Sequence, residues 1–283
     1  MKPTLKPRLG AGNLRLGAGI VLLCAGVASA AELKPETLNA WEEYVRGTNL
    51  RMQERVSPGH IFLWTDENAL RAQRVHAGEV IVAPATEHTP HHVSSGLIHH
   101  WIGAAFVRDA KLDDVLNVLR DYERYKEIYR PHVLESKTLR QDRAQDQFSL
   151  VLMNKAVVMK MALDSDYRSR YFRVDAKRAY GISDTTRVQE IENFGMANER
   201  KLPADQGSGY IWRLHSVMRF EERDGGVYVE VEAIALSRDI PAAVRWMVDP
   251  IVKRVSRSSV ATSLKQTQEA AGVSYASAAA AGR

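Results

Sequence analysis

The sequence predicts an α+β chain: one strand, two short helices, a run of antiparallel strands, and a long closing helix. Three observations carry this. "KLDDVLNVLRDY" sets Leu112, Val115, Leu116 and Leu119 at helical spacing. Between Val133 and Leu236 the chain reads as successive extended segments punctuated by turn residues, six to eight strands in all. After Ser237 two prolines, Pro241 and Pro250, each suit a first helical turn, with Asp239 and Asp249 just ahead of them.

The chain has 283 residues, and its first thirty stand apart. Lys2, Lys6, Arg8 and Arg15 precede an apolar run, Leu16 to Val27, that ends in Ala28-Ser29-Ala30. A basic start, a short apolar stretch and small residues before the cut describe a secretory signal peptide, residues 1–30. Those residues hold four basic groups and no acid, so the net charge falls from +5 to +1 once they are removed. The basic balance belongs largely to the export signal, and nucleic acid is not implied as a partner. The single cysteine, Cys24, lies inside the signal, which leaves neither disulfide nor thiolate chemistry beyond it. The expected location is periplasmic or secreted.

Residues 31–96 read as an N-terminal extension. From Lys34 to Val56, apolar residues at Leu38, Trp41, Val45, Met52 and Val56 predict an amphipathic helix. "HIFLWTD" (60–66) and "EVIVAP" (79–84) are short strand candidates around a polar stretch, and "ATEHTPHHVSSG" reads as a loop. From Leu97, "LIHHWIGAAFV" is a strand, and "ERYKEIYRPHV" is a second short helix stopped near Pro131. Whether Asn154-Lys155 turns or continues a strand is open. From Gly272 the small-residue tail, 272–283, reads as disordered.

The last hairpin has an arguable register. "RDGG" supplies an Asp-Gly or Gly-Gly two-residue turn. Either choice groups Trp212, Leu214, Met218 and Phe220 with Val227, Val229, Val231 and Ala233 on one face. Arg213, His215, Arg219, Glu230 and Glu232 fall on the other, with Arg219 opposite Glu230 or Glu232. The glutamates are expected on a solvated outer face, in a scaffolding role.

The closing helix, to about Ala271, carries large apolar residues near its start, at Ile251, Val252 and Val255. Small ones follow at Ser256, Ser258, Ser259, Ala261, Thr262 and Ser263. Such side chains do not fill the gap of about 10 Å between a helix and a sheet. A cavity or a close helix–sheet approach follows, and the cavity is the expectation.

The element order, with "GLIHHWIGAAF", "DYERYKEIYRP", "YIWRLHSVMRFEERDGGVYVEVEAIALSRDIP" and the closing helix, resembles the START-like (SRPBCC) superfamily, in particular exported bacterial members. The resemblance covers residues 97–271. It implies a helix-grip fold, a curved antiparallel sheet gripping the long helix, with a hydrophobic cavity for lipid, sterol, quinone or polyketide ligands. The fold carries no invariant chemistry, so function does not follow from it.

Candidate chemistry is sparse. His88, His91, His92, His99 and His100 cluster in sequence, but His99 and His100 point to opposite faces of a strand and no acid lies between His88 and His100. They are read as structural, with no metal expected. There is no nucleophile elbow and no phosphate loop outside the signal. No catalytic residue and no cofactor are assigned. The expected function is an exported binding protein for a hydrophobic small molecule or lipid. Its pocket would be lined by Trp212, Leu214, Met218, Val229, Val231, Ser259 and Thr262, with Tyr125 and Tyr129 at the mouth. The apolar segment around Trp246 would act as a lid, touch a membrane transiently, or pack under the extension. Alternatives are a cyclase or dehydratase on the same fold, which needs an inward titratable group, and an envelope interaction protein.

Overall fold

A computed structural model describes residues 31–153 and 162–281, with side chains through residue 272. The signal-peptide reading and the Asn154-Lys155 question lie outside the described residues.

The chain opens with β1 (Ala31–Glu32) and helix α1 (Pro35–Val56), then helix α2 (Ala69–His76) and strands β2 (Ile81–Pro84) and β3 (His91–Val93). β4 (Gly96–Arg108), α3 (Leu112–Arg120), α4 (Tyr125–Ile128), β5 (Val133–Gln141), β6 (Asp146–Met153), β7 (Ala162–Arg173) and β8 (Arg178–Glu192) follow. Next come two-residue strands β9 (Arg200–Lys201) and β10 (Gln206–Gly207), then β11 (Arg213–Arg223), β12 (Gly226–Arg238) and helix α5 (Ala242–Ala281). A ten-stranded antiparallel sheet runs β2-β4-β12-β11-β8-β7-β6-β5, with β3 added to β4 and β9 to β8. The path thus has eight strands, and the two extra ones are pairings of three and two residues, β3 falling within the stretch read as a loop.

The β11–β12 hairpin closes on Asp224-Gly225, both at positive φ (54° and 79°), and its register sets Arg219 opposite Glu230 and Phe220 opposite Val229. That pairing is the expected one. One face of the sheet, the concave one, receives α5 and α3. The convex face receives the extension. β4 is buried on both faces over its whole length except Arg108, which explains its nearly unbroken apolar sequence.

Several expectations are corrected here. Residues 60–66 are not a strand: Trp64–Glu67 form a short 3-10 turn, and the polar stretch after it forms α2, capped by the Asn68 side chain. The closing segment is one helix with Pro250 inside it, not two. It runs on to Ala281, through the stretch read as a disordered tail. The small-residue middle of α5 is not what meets the sheet. Val260, Leu264, Thr267 and Ala271 recur at i, i+4, i+7 and i+11 as its buried row. Leu264 closes on Gly103 of β4 so tightly that a Cβ there would lie 2.6 Å from its Cδ1. At that crossing the close approach, not the cavity, is what the structure contains.

The outer face is not solvated. Arg219 and Glu230 are 1% and 0% exposed as side chains, because α1 and the 3-10 turn lie over them. The strand pattern alone says which face a residue takes, and the extension decides what covers that face.

Candidate functional site

The concave surface is built from alternating positions of the central strands. Leu214, Ser216 and Met218 of β11 and Val231, Ala233 and Ala235 of β12 share it, and all six are only partly buried. On the opposite face of the same two strands His215, Val217, Arg219, Glu230, Glu232, Ile234 and Leu236 are all buried. The usual order is reversed: the charged face is sealed and the apolar face beneath the helix stays partly open. Toward α3 the surface closes, where Phe220, Val227 and Val229 pack with Leu112 and Val115. The open part therefore lies beside α5, over β12 and β11.

The expected pocket residues divide accordingly. Leu214, Met218 and Val231 lie in the open part. Val229 is sealed in the core, 3% exposed. Trp212 is on the other side: it precedes β11, donates its backbone N–H to the Leu236 carbonyl, and packs with Trp41, Ile98, Ile234 and Leu236. The turn at Gly209, with φ of 71°, swings it out of strand alternation. Ser259 and Thr262 are half-buried and sit off the Val260–Leu264 row.

Tyr125 and Tyr129 are half-buried at the far end, with rings 4.8 Å apart. The Tyr125 hydroxyl donates to the Leu119 carbonyl (2.7 Å), and that of Tyr129 shares a hydrogen bond with Thr267 of α5 (3.0 Å). Burial raises both phenols, Tyr129 to about 12, so both stay protonated and act as hydrogen-bonding tips rather than bases. Tyr122 lies deeper, stacked on Phe148 with its hydroxyl on Asp146, which also takes a bidentate bond from Arg120.

Two concave residues escaped the sequence reading as ligand groups. His99 pairs with Ala235 and Trp101 with Ala233, which sets both beside the open patch. Extending the hairpin register one strand further finds them. His99 Nε2 bonds the Ser237 hydroxyl (3.0 Å). Burial pushes this imidazole down to about 4; Asp249 of α5 opposes the shift and Lys253 adds to it. His99 is therefore neutral at ordinary pH.

The convex charges form a buried network, in which Arg219 Nη2 and His215 Nε2 have no partner among the described residues. Glu230 accepts from the backbone N–H groups of Trp64 (2.9 Å) and Thr65 (2.6 Å), from the Thr65 hydroxyl, and from Arg219 Nε. Glu232 accepts from Arg219 Nη1 (2.6 Å) and lies 3.3 Å from His100 Nε2, whose Nδ1 meets the Tyr44 hydroxyl (2.9 Å). Burial alone would raise the Glu232 carboxyl, but hydrogen bonds from His100 and Arg219 hold it well below the usual range. His215 pairs with Asp184. His99 and His100 face opposite sides as expected, and among the described residues no three His, Cys, Asp or Glu side chains converge as a metal site. Two surface hollows, about 480 and 540 Å³, lie away from the helix, at Asp175–Arg178 with Glu221–Arg223 and around Arg120 and Arg143.

With the helix laid across one face of a curved antiparallel sheet, the architecture is the helix-grip fold that the START-like resemblance implied. No protein-family model matches the chain, and no curated protein does. Solved structures with a similar arrangement include a STAR-related lipid transfer protein from Xanthomonas axonopodis, 17% identical over 67% of this chain and 97% of that one, TM-score 0.43. Human STARD10 is 9% identical over 76% and 83%, TM-score 0.42. The Zhui aromatase/cyclase from a Streptomyces species is 14% identical over 62% and 93%, TM-score 0.39. Identities this low bear on fold alone, and no ligand follows from them.

Proposed function

We propose that this chain is an exported binding protein that holds an apolar or amphipathic small molecule, a lipid, quinone or sterol-like compound, on the concave face beside α5. One observation supports it. Leu214, Met218, Val231 and Ala233 keep partial exposure inside the fold while His215, Val217, Arg219, Glu230, Glu232 and Ile234 on the outer face are buried. Apolar surface left open in the interior of a fold is the ordinary lining of a small-molecule site. The inward groups are neutral hydroxyls and a neutral imidazole, suited to orientation rather than proton transfer. The cyclase or dehydratase alternative loses its expected acids and bases, since Glu230, Glu232 and His215 face outward, each paired with a charged partner on that side.

Trp246 is 78% exposed and Ile251 55%, with Lys253, Arg254 and Arg257 exposed on the same half of α5. That combination suits a brief contact with an anionic bilayer during loading or release.

Native mass spectrometry of protein taken from its own envelope tests the carrier role: a bound lipid-sized mass is expected, and bare protein from every preparation overturns it. Met218→Trp, which fills the open patch, should abolish uptake of the neutral dye N-phenylnaphthylamine while the unfolding midpoint stays close to that of the parent.

A further inference from the structure

Trp101 and His99 stand two positions apart on β4, about 7 Å along the strand, both on the concave face. Both are more than nine-tenths buried, at 6% and 5% exposure. The indole Nε1 of Trp101 is sealed and has no hydrogen-bond partner. An N–H left unpaired in an apolar interior costs about 1–3 kcal/mol, so a native fold that keeps one calls for an acceptor. Val82, Val260 and Leu264, which share its apolar cluster, have aliphatic side chains and offer none. His99 uses Nε2 on Ser237, and its Nδ1 has no partner among the described residues. The site therefore presents one obligate donor and one neutral imidazole edge next to the open apolar patch of Leu214, Met218 and Val231.

The charge of the surroundings narrows the ligand. Concave positions from Leu97 to Val107 of β4, Val227 to Ala235 of β12, Leu214 to Phe220 of β11 and Ala179 to Thr185 of β8 carry no Lys, Arg, Asp or Glu. The nearby arginine of these strands, Arg219, is on the far face and engaged by two glutamates. The charges that α5 turns toward this face are Asp249 and Lys253, which act on His99 with opposite sign, and Arg257, whose Nε donates to the Val82 carbonyl; both cations are exposed to solvent. A carboxylate or phosphate entering here would lose its hydration and regain little from cations held in water, a large penalty. An alcohol or ketone oxygen loses less and gains the Trp101 N–H.

We infer that Trp101 and His99 form the polar anchor of the concave site and select apolar ligands ending in one uncharged oxygen, an alcohol or a ketone, over those ending in an acid. The inference rests on the carrier reading and adds the ligand's head group to it.

The test uses the full chain and four probes of one length: decane, decanol, a decanone and decanoate, each displacing N-phenylnaphthylamine. Trp101→Phe and His99→Phe should weaken decanol and decanone about tenfold and leave decane nearly unchanged, the loss of one or two hydrogen bonds. Decanoate should bind more weakly than decanol to the parent. In the parent protein, the Trp101 indole N–H resonance, assigned through nuclear Overhauser contacts within β4, should move on adding decanol and stay in place with decane. This last measurement decides the matter even where both variants fail to fold. Equal weakening of decane and decanol, an unmoved indole resonance, or decanoate as the tightest probe each overturns the anchor while leaving the carrier intact. A folded protein that takes up neither dye nor any probe removes the carrier reading itself.

Discussion

Arg219 and Glu230 stand directly opposite each other on β11 and β12 and form a 2.9 Å ion pair that water does not reach. The pair does more than join two strands. The same carboxylate takes the N–H groups of Trp64 and Thr65, so it ties the extension to the sheet. Burial would lower the Arg219 guanidinium, but Glu230 and Glu232 outweigh it and keep the charge fixed.

Glu230→Gln should therefore destabilise the protein by about 3–5 kcal/mol, since it removes one of two countercharges from a buried cation. Urea unfolding followed by circular dichroism measures this. The exposed pair Arg200–Glu192 provides the contrast: Glu192→Gln should cost under about 1 kcal/mol.

His99 makes stability depend on pH. Its pKa is about 4 in the fold and about 6.5 when unfolded, so the unfolded chain takes up the proton first. The contribution is complete above pH 6.5 and declines as pH falls toward 4, by up to about 3 kcal/mol. Denaturation curves at pH 7 and pH 4.5 read the slope. In His99→Phe this component should vanish, and an unchanged slope there assigns the effect to another group.

Gly103→Ala should destabilise by about 1–3 kcal/mol, because its Cβ would meet Leu264 Cδ1 at 2.6 Å, Val82 Cγ2 at 3.0 Å and the Ile81 carbonyl at 3.2 Å. Leu264→Ala removes the tightest of these contacts. In a double-mutant cycle the two losses should add to less than their sum, and strict additivity places the strain elsewhere.

Trp246→Ala should leave the unfolding midpoint within about 0.5 kcal/mol, given how little the indole is packed. Co-sedimentation with anionic vesicles should drop severalfold in the same variant. Equal retention of both proteins counts against a membrane role for this side chain.

Much of the fold was legible in local pattern. The Asp224-Gly225 turn sets the hairpin register, and strand alternation then assigns Arg219, Glu230 and Glu232 to one face and Met218 and Val231 to the other. The same logic separates His99 from His100. The candidate site was legible only in part. Leu214, Met218 and Val231 follow from alternation, whereas Trp212 does not, because Gly209 redirects the chain just before the strand begins. The α5 face was misjudged by composition: counting small residues overlooked the i, i+4 pair Val260 and Leu264, which makes the actual contact.

Which side each residue takes was settled by the chain itself, since peptide geometry forces side chains to alternate along a strand and to recur every three or four positions along a helix. What covers each side came only from folding. A helix and a turn far away in sequence close over the arginine and its glutamates, and α5 rests on β4 near Gly103, one strand in from the edge of the sheet. Contacts between distant segments depend on how whole surfaces fit together, and no stretch of sequence read alone contains that fit.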